Sequence, residues 1–532
     1  ILGPGSAFAA YRHRSLAPAL PDPTFDARRP HMERVMRELG AAGVERDALF
    51  LAWDFTIASS RNLTERVLHI RDEAFAALGD SDLTDNMVSG VAPSFAITKV
   101  EDSATDATMR HIEGTIAVPN YLTPQLEVKS PLPPVELPPE VAAALKPLTS
   151  ALPVGLHDLQ SNAFAVPGSR FNQLGSDSSL PSVDPLQPTV EVPFLCDIAR
   201  GSDVEPSHPV LYGHGLLGSR TEADGGSTQR LRERGFSPCA VDWWGFSFAD
   251  LPSVAGALVD LSAFPSIIDR SQQGFLNFLL LGRALSNPAG LSSSSAFRTA
   301  DGRPLLRTNE LAYDGNSQGA IMGGALTALA PDFRRAVLGV PGMGYSTLLN
   351  RSTDWEDRYA AIYQATYPNP VDQQIGFALI QMLWDRGEAS GYAQQMTAHP
   401  LPNTPTHDVM LQVAFGDHQV ANATAEIEAR TIGASLKVPA LAPGQHWSID
   451  PAFGFTTSSG DTPNVGSVLV YWFAADTGLA TPPNGNTPAR AGTDPHSVPR
   501  SYGPATDQVA RFLLTGDLID VCGGAPCVVP RG

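Results

Sequence analysis

Five residues, Gly315-Asn316-Ser317-Gln318-Gly319, constrain this chain more than any other stretch. They have the form G-x-S-x-G, a turn that passes directly from a β-strand into an α-helix with a serine at its apex. So tight a turn crowds the residues two before and two after the serine, and a residue without a Cβ suits both places. The run Glu310–Tyr313 ahead of it reads as a strand, and Ala320–Leu329 behind it as a helix of small residues. In a chain with 47 glycines the pattern by itself has false positives, so its context and partners decide its meaning. On such a turn the serine hydroxyl is a candidate nucleophile. The backbone N–H of Gln318 points to where a substrate oxyanion would form.

The charge balance narrows the partners. Lys and Arg total 36 against 55 Asp and Glu, a formal net charge of −19. An acidic surface repels phosphate backbones, which excludes nucleic acid as the expected partner. No apolar run reaches the ~18–20 residues of a membrane-spanning helix; the longest is Phe275–Leu281. The sequence starts at Ile1 without a basic and apolar export segment, and is read as a trimmed product whose export signal has been removed. Cys522 and Cys527 close a short Gly-Gly-Ala-Pro loop, which predicts a disulfide and an oxidising compartment. Cys196 and Cys239 lie in apolar strand-like runs and are expected as buried thiols, a second bridge being the alternative.

Taken in order, residues 1–105 are read as an N-terminal extension or small accessory domain, and residues 106–532 as a catalytic domain. Within the first, His31–Leu39 is predicted helical and Asp47–Ile57 a strand. Asn62 with Glu65 has capping-box form and opens a helix to Leu78. Asp80, Asp82 and Asp85 are spaced like a calcium loop but lack the glycine it needs, and are read as a solvated turn. Val91–Val100, Arg110–Asn120, Val190–Ala199 and Pro209–Gly213 follow as strands, with a Pro/Ser-rich surface excursion over about 123–188. From Pro209 onward strand and helix alternate, which predicts a mostly parallel sheet covered on both faces. Cys239–Trp243, Arg335–Val340, Val409–Phe415 and Ser467–Ala474 are its further strands, with a helix at Pro265–Leu285 and a closing helix at Thr506–Leu514. Residues 345–405 exceed what a simple crossover needs and read as a lid or cap insertion.

A serine hydroxyl becomes a good nucleophile when an imidazole takes its proton, and that imidazole needs a carboxylate to fix its tautomer. In sheets of this kind the three follow in the order serine, acid, histidine, each beyond a strand end. Asp417 follows the buried run VMLQVAF on a turn and is the preferred acid, its alternative role being an N-cap for the helix Ala421–Ile432. Asp385, Asp408, Asp450 and Asp461 are placed less well. His496, in Asp494-Pro495-His496, lies after SVLVYWFA in a Gly/Pro-rich loop and is preferred over His446 and His418. A second oxyanion N–H is expected from Leu216 in His214-Gly215-Leu216-Leu217-Gly218, with His214 ordering that loop. Leu216, Leu217, Trp243, Trp244, Phe246, Tyr345, Trp355 and Trp384 are candidates for an acyl pocket, Leu217, Trp244 and Tyr345 foremost, with core packing as the other reading.

Val210–Gly218, Gly315–Gly319, Gly416–Val420 and Asp494–His496 together resemble the α/β-hydrolase superfamily, in particular secreted bacterial serine esterases and lipases. The resemblance runs from about Ile112 to Leu514. It implies a mostly parallel central sheet flanked by helices, a Ser–Asp–His triad of Ser317, Asp417 and His496, an oxyanion hole from Leu216 and Gln318, and neither cofactor nor metal. It further implies a small-molecule or polymeric ester as substrate, and a secreted or cell-envelope location. Tyr313-Asp314 is more polar than the family's pattern before the elbow. An amidase, peptidase or polyester depolymerase uses the same parts, and a binding protein that keeps the fold without turnover is the reading from another class.

Overall fold

The computed structural model describes residues 4–14, 24–85, 87–103, 107–123, 169–173, 179–474 and 485–530. The chain divides into two compact units, Ile1–Asn62 and Leu63–Gly532. In the first, α1 (Ser6–Arg12) and α2 (Phe25–Ala41) share a small core of Phe8, Met32 and Met36. The strand expected at Asp47–Ile57 does not form. A 3₁₀ turn at Arg46–Ala48 is followed by irregular chain that leaves Leu51, Trp53, Phe55 and Ile57 exposed. Strand-favouring residues describe a fit to a pleated, half-buried surface, and no described strand lies beside them to supply one.

The helix α3 (Ser60–Ala77) begins before Asn62, and Ser59 Oγ caps it by accepting from Asn62 N–H at 3.1 Å. Further along, Val67, Ile70 and Phe75 are fully buried in the core of the large unit. Arg71, also fully buried, donates to Thr404 Oγ1 (2.6 Å), Leu329 O (3.1 Å) and Pro402 O (3.0 Å). Asp80 is not in a solvated turn: it is buried and ion-paired to Arg283 at 2.8 Å. The boundary expected near residue 105 therefore falls inside this unit, because residues 63–105 contribute a core helix and an edge strand.

The sheet consists of β1 (Phe95–Asp102), β2 (Thr108–Pro119), β3 (Thr189–Ala199), β4 (His208–Gly213), β5 (Phe236–Val241), β6 (Ala312–Asn316), β7 (Arg335–Gly339), β8 (Asp408–Ala414), β9 (Ser435–Lys437), β10 (Thr457–Ser458), β11 (Val468–Ala474) and β12 (Cys527–Val529). Their order is β1-β2-β3-β5-β4-β6-β7-β8-β11-β9-β10, with β12 on β11. The links β1–β2, β2–β3 and β3–β5 are antiparallel, and every other pairing is parallel. In β2 alternate residues are buried, including Ile112, Ile116 and Val118, as an edge region half open to water requires. In β5, β6 and β11 nearly every residue is buried, as a parallel sheet covered on both faces requires.

Among the covering helices are α4 (Gly226–Arg232), α5 (Leu251–Val259), α6 (Phe264–Ser286) and α7 (Gln318–Leu329). An insertion between β7 and β8 contains α8 (Tyr345–Leu348), a π-helical turn at Trp355–Tyr359, α9 (Ala360–Thr366) and α10 (Pro370–Trp384). Beyond β8 come α11 (Asn422–Thr431), α12 (Val498–Ser501) and α13 (Gly503–Thr515). This arrangement, a mostly parallel sheet flanked by helices with a serine elbow beyond β6, is the α/β-hydrolase fold. Most of the Pro/Ser-rich excursion lies outside the described residues. Within it Phe171 is buried and bridges Leu122.

Both cysteine pairs are bridged. The pair Cys522–Cys527 is the expected one. Cys196 and Cys239 are not free thiols, because antiparallel β3 and β5 set them directly opposite each other with Cα atoms 4.1 Å apart. Their separation of 43 residues conceals that register in the sequence.

Candidate active site

The strand order places the site before any side chain is considered. From β4 the chain moves to β5 on one side and returns to β6 on the other, so β4 stands where the winding reverses. Crevices for ligands form beyond the carboxyl ends of the strands at such a point. There the register aligns Gly213 of β4 with Gly315 of β6, and the His214–Gly218 loop leaves the sheet beside Ser317.

Ser317 sits between the end of β6 and the first residue of α7 with φ 58° and ψ −122°, a conformation that a non-glycine residue holds only when its surroundings impose it. Its N–H donates to Gly339 O at 2.9 Å, which ties the turn to β7. The flanking glycines are needed sterically. A Cβ on Gly315 would lie 2.5 Å from Gly319 O, and one on Gly319 would lie 2.0 Å from Gly213 O. Gln318 opens α7, and the first N–H groups of a helix have no partner within it.

The strand leading to the elbow carries buried polar groups. Tyr313 donates to Gly319 O, bracing the start of the helix from below. Burial pushes the Asp314 carboxyl up to about 7. The polarity that departs from the family's pattern is thus enclosed in the sheet, and the strand reaches Asn316.

Asp417 and His496 are brought together. Both are buried, and His496 Nδ1 lies 2.8 Å from Asp417 Oδ2 and 3.0 Å from Oδ1. Asp417 Oδ1 also accepts from Gln419 N–H (2.8 Å) and Val420 N–H (2.9 Å), closing the turn after β8 on the side chain itself. It does not cap α11, whose N-cap is Ala421. Burial disfavours the His496 imidazolium, but Asp417 outweighs it by charge and hydrogen bond, and the histidine is held above its ordinary value.

The rival histidines are engaged elsewhere. His446 pairs with Glu426 at 2.7 Å, and His418 directs its ring to Ala491 O. His214 Nε2 accepts from Trp243 N–H at 2.9 Å, so the proton it donates to Gly215 O, also 2.9 Å away, is on Nδ1. Both ring nitrogens thereby order the loop that presents Leu216. Glu222 Oε2 accepts from Gly215 N–H at 3.0 Å and holds the same loop from outside.

The pocket candidates separate into two groups. Leu216 and half-buried Leu217, the latter at φ 49°, lie on the loop after β4. Tyr345 is buried, hydrogen-bonded through its hydroxyl to Gln318 Oε1, and stacked on Trp384 at 4.3 Å. Trp244 is buried against Gly274 of α6 under the Arg270 guanidinium, where it packs the core. Glu388, absent from the sequence reading, accepts from Gly344 and Tyr345 N–H at 3.1 Å and so fixes the loop that carries Tyr345. Burial raises its carboxyl to about 7.

A cavity of about 800 Å³ is lined by Lys99, His111, Asp224 and Arg232, and Ser317 is not among its lining residues. His111, Asp197 and Asp224 converge there within 4.8 Å. Both nitrogens of His111 meet carboxylates, Asp197 at 2.9 Å and Glu113 at 3.1 Å, which hold the imidazole protonated up to about 9. With Arg232 3.5 Å from Asp197, the group is already an ion-paired network.

No family model matches the sequence, and no curated protein matches it. Among solved structures, an acetyl xylan esterase from a Thermoanaerobacterium species superposes with a TM-score of 0.33 at 13% identity, over 71% of this chain and 90% of that one. One from a Paenibacillus species gives 0.35 at 11% identity over the same shares. An acylaminoacyl peptidase from Pyrococcus horikoshii gives 0.31 at 11% identity, over 61% of this chain and 40% of that one.

Proposed function

We propose that this chain, an α/β-hydrolase by fold, is a serine hydrolase of carboxylic esters that works through an acyl-enzyme. The observation that carries the reading is the buried Asp417–His496 pair beyond β8 and β11, with Ser317 raised on its turn beyond β6. In this mechanism Ser317 Oγ attacks the ester carbonyl and passes its proton to His496 Nε2, the nitrogen that Asp417 leaves free. Asp417 stabilises the imidazolium so formed and keeps the ring in the right tautomer. The N–H groups of Leu216 and Gln318 receive the developing oxyanion, and the positive end of α7 adds to their field. Collapse of the tetrahedral intermediate expels the alcohol, protonated by His496, and leaves the acyl group on Ser317. Water activated by the same histidine then releases the acid and restores the serine.

Uncharged esters suit the site because the side chains beside the elbow are apolar or aromatic: Leu216, Leu217 and Tyr345, with Phe246 and Trp384 stacked on Tyr345. The two disulfides support a secreted or cell-envelope location. No helix of the described residues is long and apolar enough to cross a membrane. A fluorophosphonate probe tests the assignment: the wild-type chain labels at Ser317 and hydrolyses p-nitrophenyl esters, and Ser317→Ala does neither. Labelling of the alanine variant would overturn it. Matched ester and amide substrates then divide esterase from amidase, since the triad serves both.

A further inference from the structure

His496 is carried by a loop. Among the described residues, 485–497 form neither strand nor helix and α12 begins only at Val498, so no strand ladder or helix holds the backbone that presents the imidazole. A base must stay aligned with its nucleophile to within a fraction of an ångström, and a loop does not provide this unaided. The restraint comes from the residue two positions earlier. Asp494 Oδ1 accepts from His496 N–H at 3.1 Å and from His418 N–H at 3.2 Å, and Oδ2 accepts from Gln419 Nε2 at 2.8 Å. One carboxylate therefore joins the turn carrying the candidate base to the turn carrying the candidate acid.

We propose that Asp494 is a positioning residue for His496, a clamp that fixes the imidazole-bearing turn onto the Asp417 turn. The proposal rests on the reading of His496 as the base. Asp494 makes no hydrogen bond to the imidazole itself and acts through the backbone. A second link from the same loop, Arg490 to Glu356 (2.8 Å) and Asp357 (2.6 Å), is exposed and contributes less.

The clamp also contributes charge. The charged groups facing His496 are Asp417, Asp494, Arg500 from α12 and Asp354, the residue just before the π-helical turn. Burial works against the imidazolium, Asp417 and then Asp494 favour it, and Arg500 opposes it. Replacing Asp494 with a neutral side chain lowers the pKa of the base, so the acid limb of the rate profile moves to lower pH.

Two variants of the full chain separate the effects. Asp494→Asn keeps an oxygen for the two backbone N–H groups and loses the charge; Asp494→Ala loses both. Each is assayed for kcat and KM on a short p-nitrophenyl ester from acid to alkaline pH, with fluorophosphonate labelling and thermal unfolding alongside. The alanine variant is expected to lose about 10- to 100-fold in kcat with little change in KM. The asparagine variant is expected to recover most of that loss, with its acid limb below that of the wild type. Wild-type kcat in the alanine variant overturns the proposal. So does an equal fall in both variants that tracks a lowered melting temperature on an unshifted pH profile. If the wild-type chain itself neither labels nor turns over, the catalytic reading fails and takes this proposal with it. A labelled wild type with unaffected variants removes the clamp alone.

Discussion

The Nδ1 of His496 lies 2.8 Å from one carboxylate oxygen of Asp417 and 3.0 Å from the other, with both side chains buried. In a protein interior such a contact is stronger than in water, and it selects which imidazole nitrogen stays free. The two residues are separated by the whole of α11, β9, β10 and β11.

That contact predicts the behaviour of Asp417→Asn. The carboxamide keeps the shape, removes the charge and favours the wrong tautomer, and kcat is expected to fall by about 10⁴-fold. Steady-state kinetics on a p-nitrophenyl ester check this, and a rate within tenfold of wild type would place the acid elsewhere. In the wild type, His496 titrates above its ordinary value, so kcat/KM is expected to fall as pH drops through that raised pKa. In Asp417→Asn the residual activity extends to lower pH, because the group that raised the pKa has gone.

Asp314 predicts a pH dependence of stability. Burial raises its carboxyl from 3.8 to about 7, so the folded chain binds a proton that the unfolded chain releases earlier. The sign follows: this contribution is complete below about 4 and is lost as pH rises towards about 7. Asp314→Asn cannot titrate. Its melting temperature is expected to gain on the wild type between pH 5 and pH 8, and thermal unfolding at the two values reads the difference. An unchanged gap at both would contradict the burial argument.

The steric demand at the elbow predicts opposite outcomes for two glycines. In Gly319→Ala the new Cβ would lie 2.0 Å from Gly213 O and 3.0 Å from His214 O, both backbone atoms. Relieving that clash is expected to cost at least about 1–3 kcal/mol and to push the His214 loop away from Ser317. Gly256 in α5 has no atom within 4 Å of such a Cβ. Gly256→Ala is expected to be neutral, or more stable by up to about 1 kcal/mol through helix propensity. Soluble yield, thermal unfolding and esterase rate on the two variants decide the point.

Some of this was legible in the chain because it is local. The elbow is a five-residue pattern, and its glycines answer a clash within the turn and with the adjacent strand. Alternation in β2 and the mainly apolar runs of β8 and β11 follow from how many faces each strand buries. Asp417 and His496 were legible as loop residues beyond buried strands. Where local pattern misled, a partner was missing or hidden. Asp47–Ile57 has strand-forming residues but no described strand beside it.

The sequence by itself determined the fold class, the elbow with Ser317 at its apex, and the order in which Ser317, Asp417 and His496 follow along the chain. These depend on turn sterics and hydrophobic periodicity within a few residues. Tertiary structure alone decided that Cys196 meets Cys239, that one carboxylate oxygen of Asp494 accepts from both His496 N–H and His418 N–H, that Glu388 supports the Tyr345 loop, and that residues from Leu63 onward belong to the large unit. Each of these depends on strand register or loop docking between residues distant along the chain. A one-residue shift in register would turn every such side chain to the other face, and no short window of sequence carries that information.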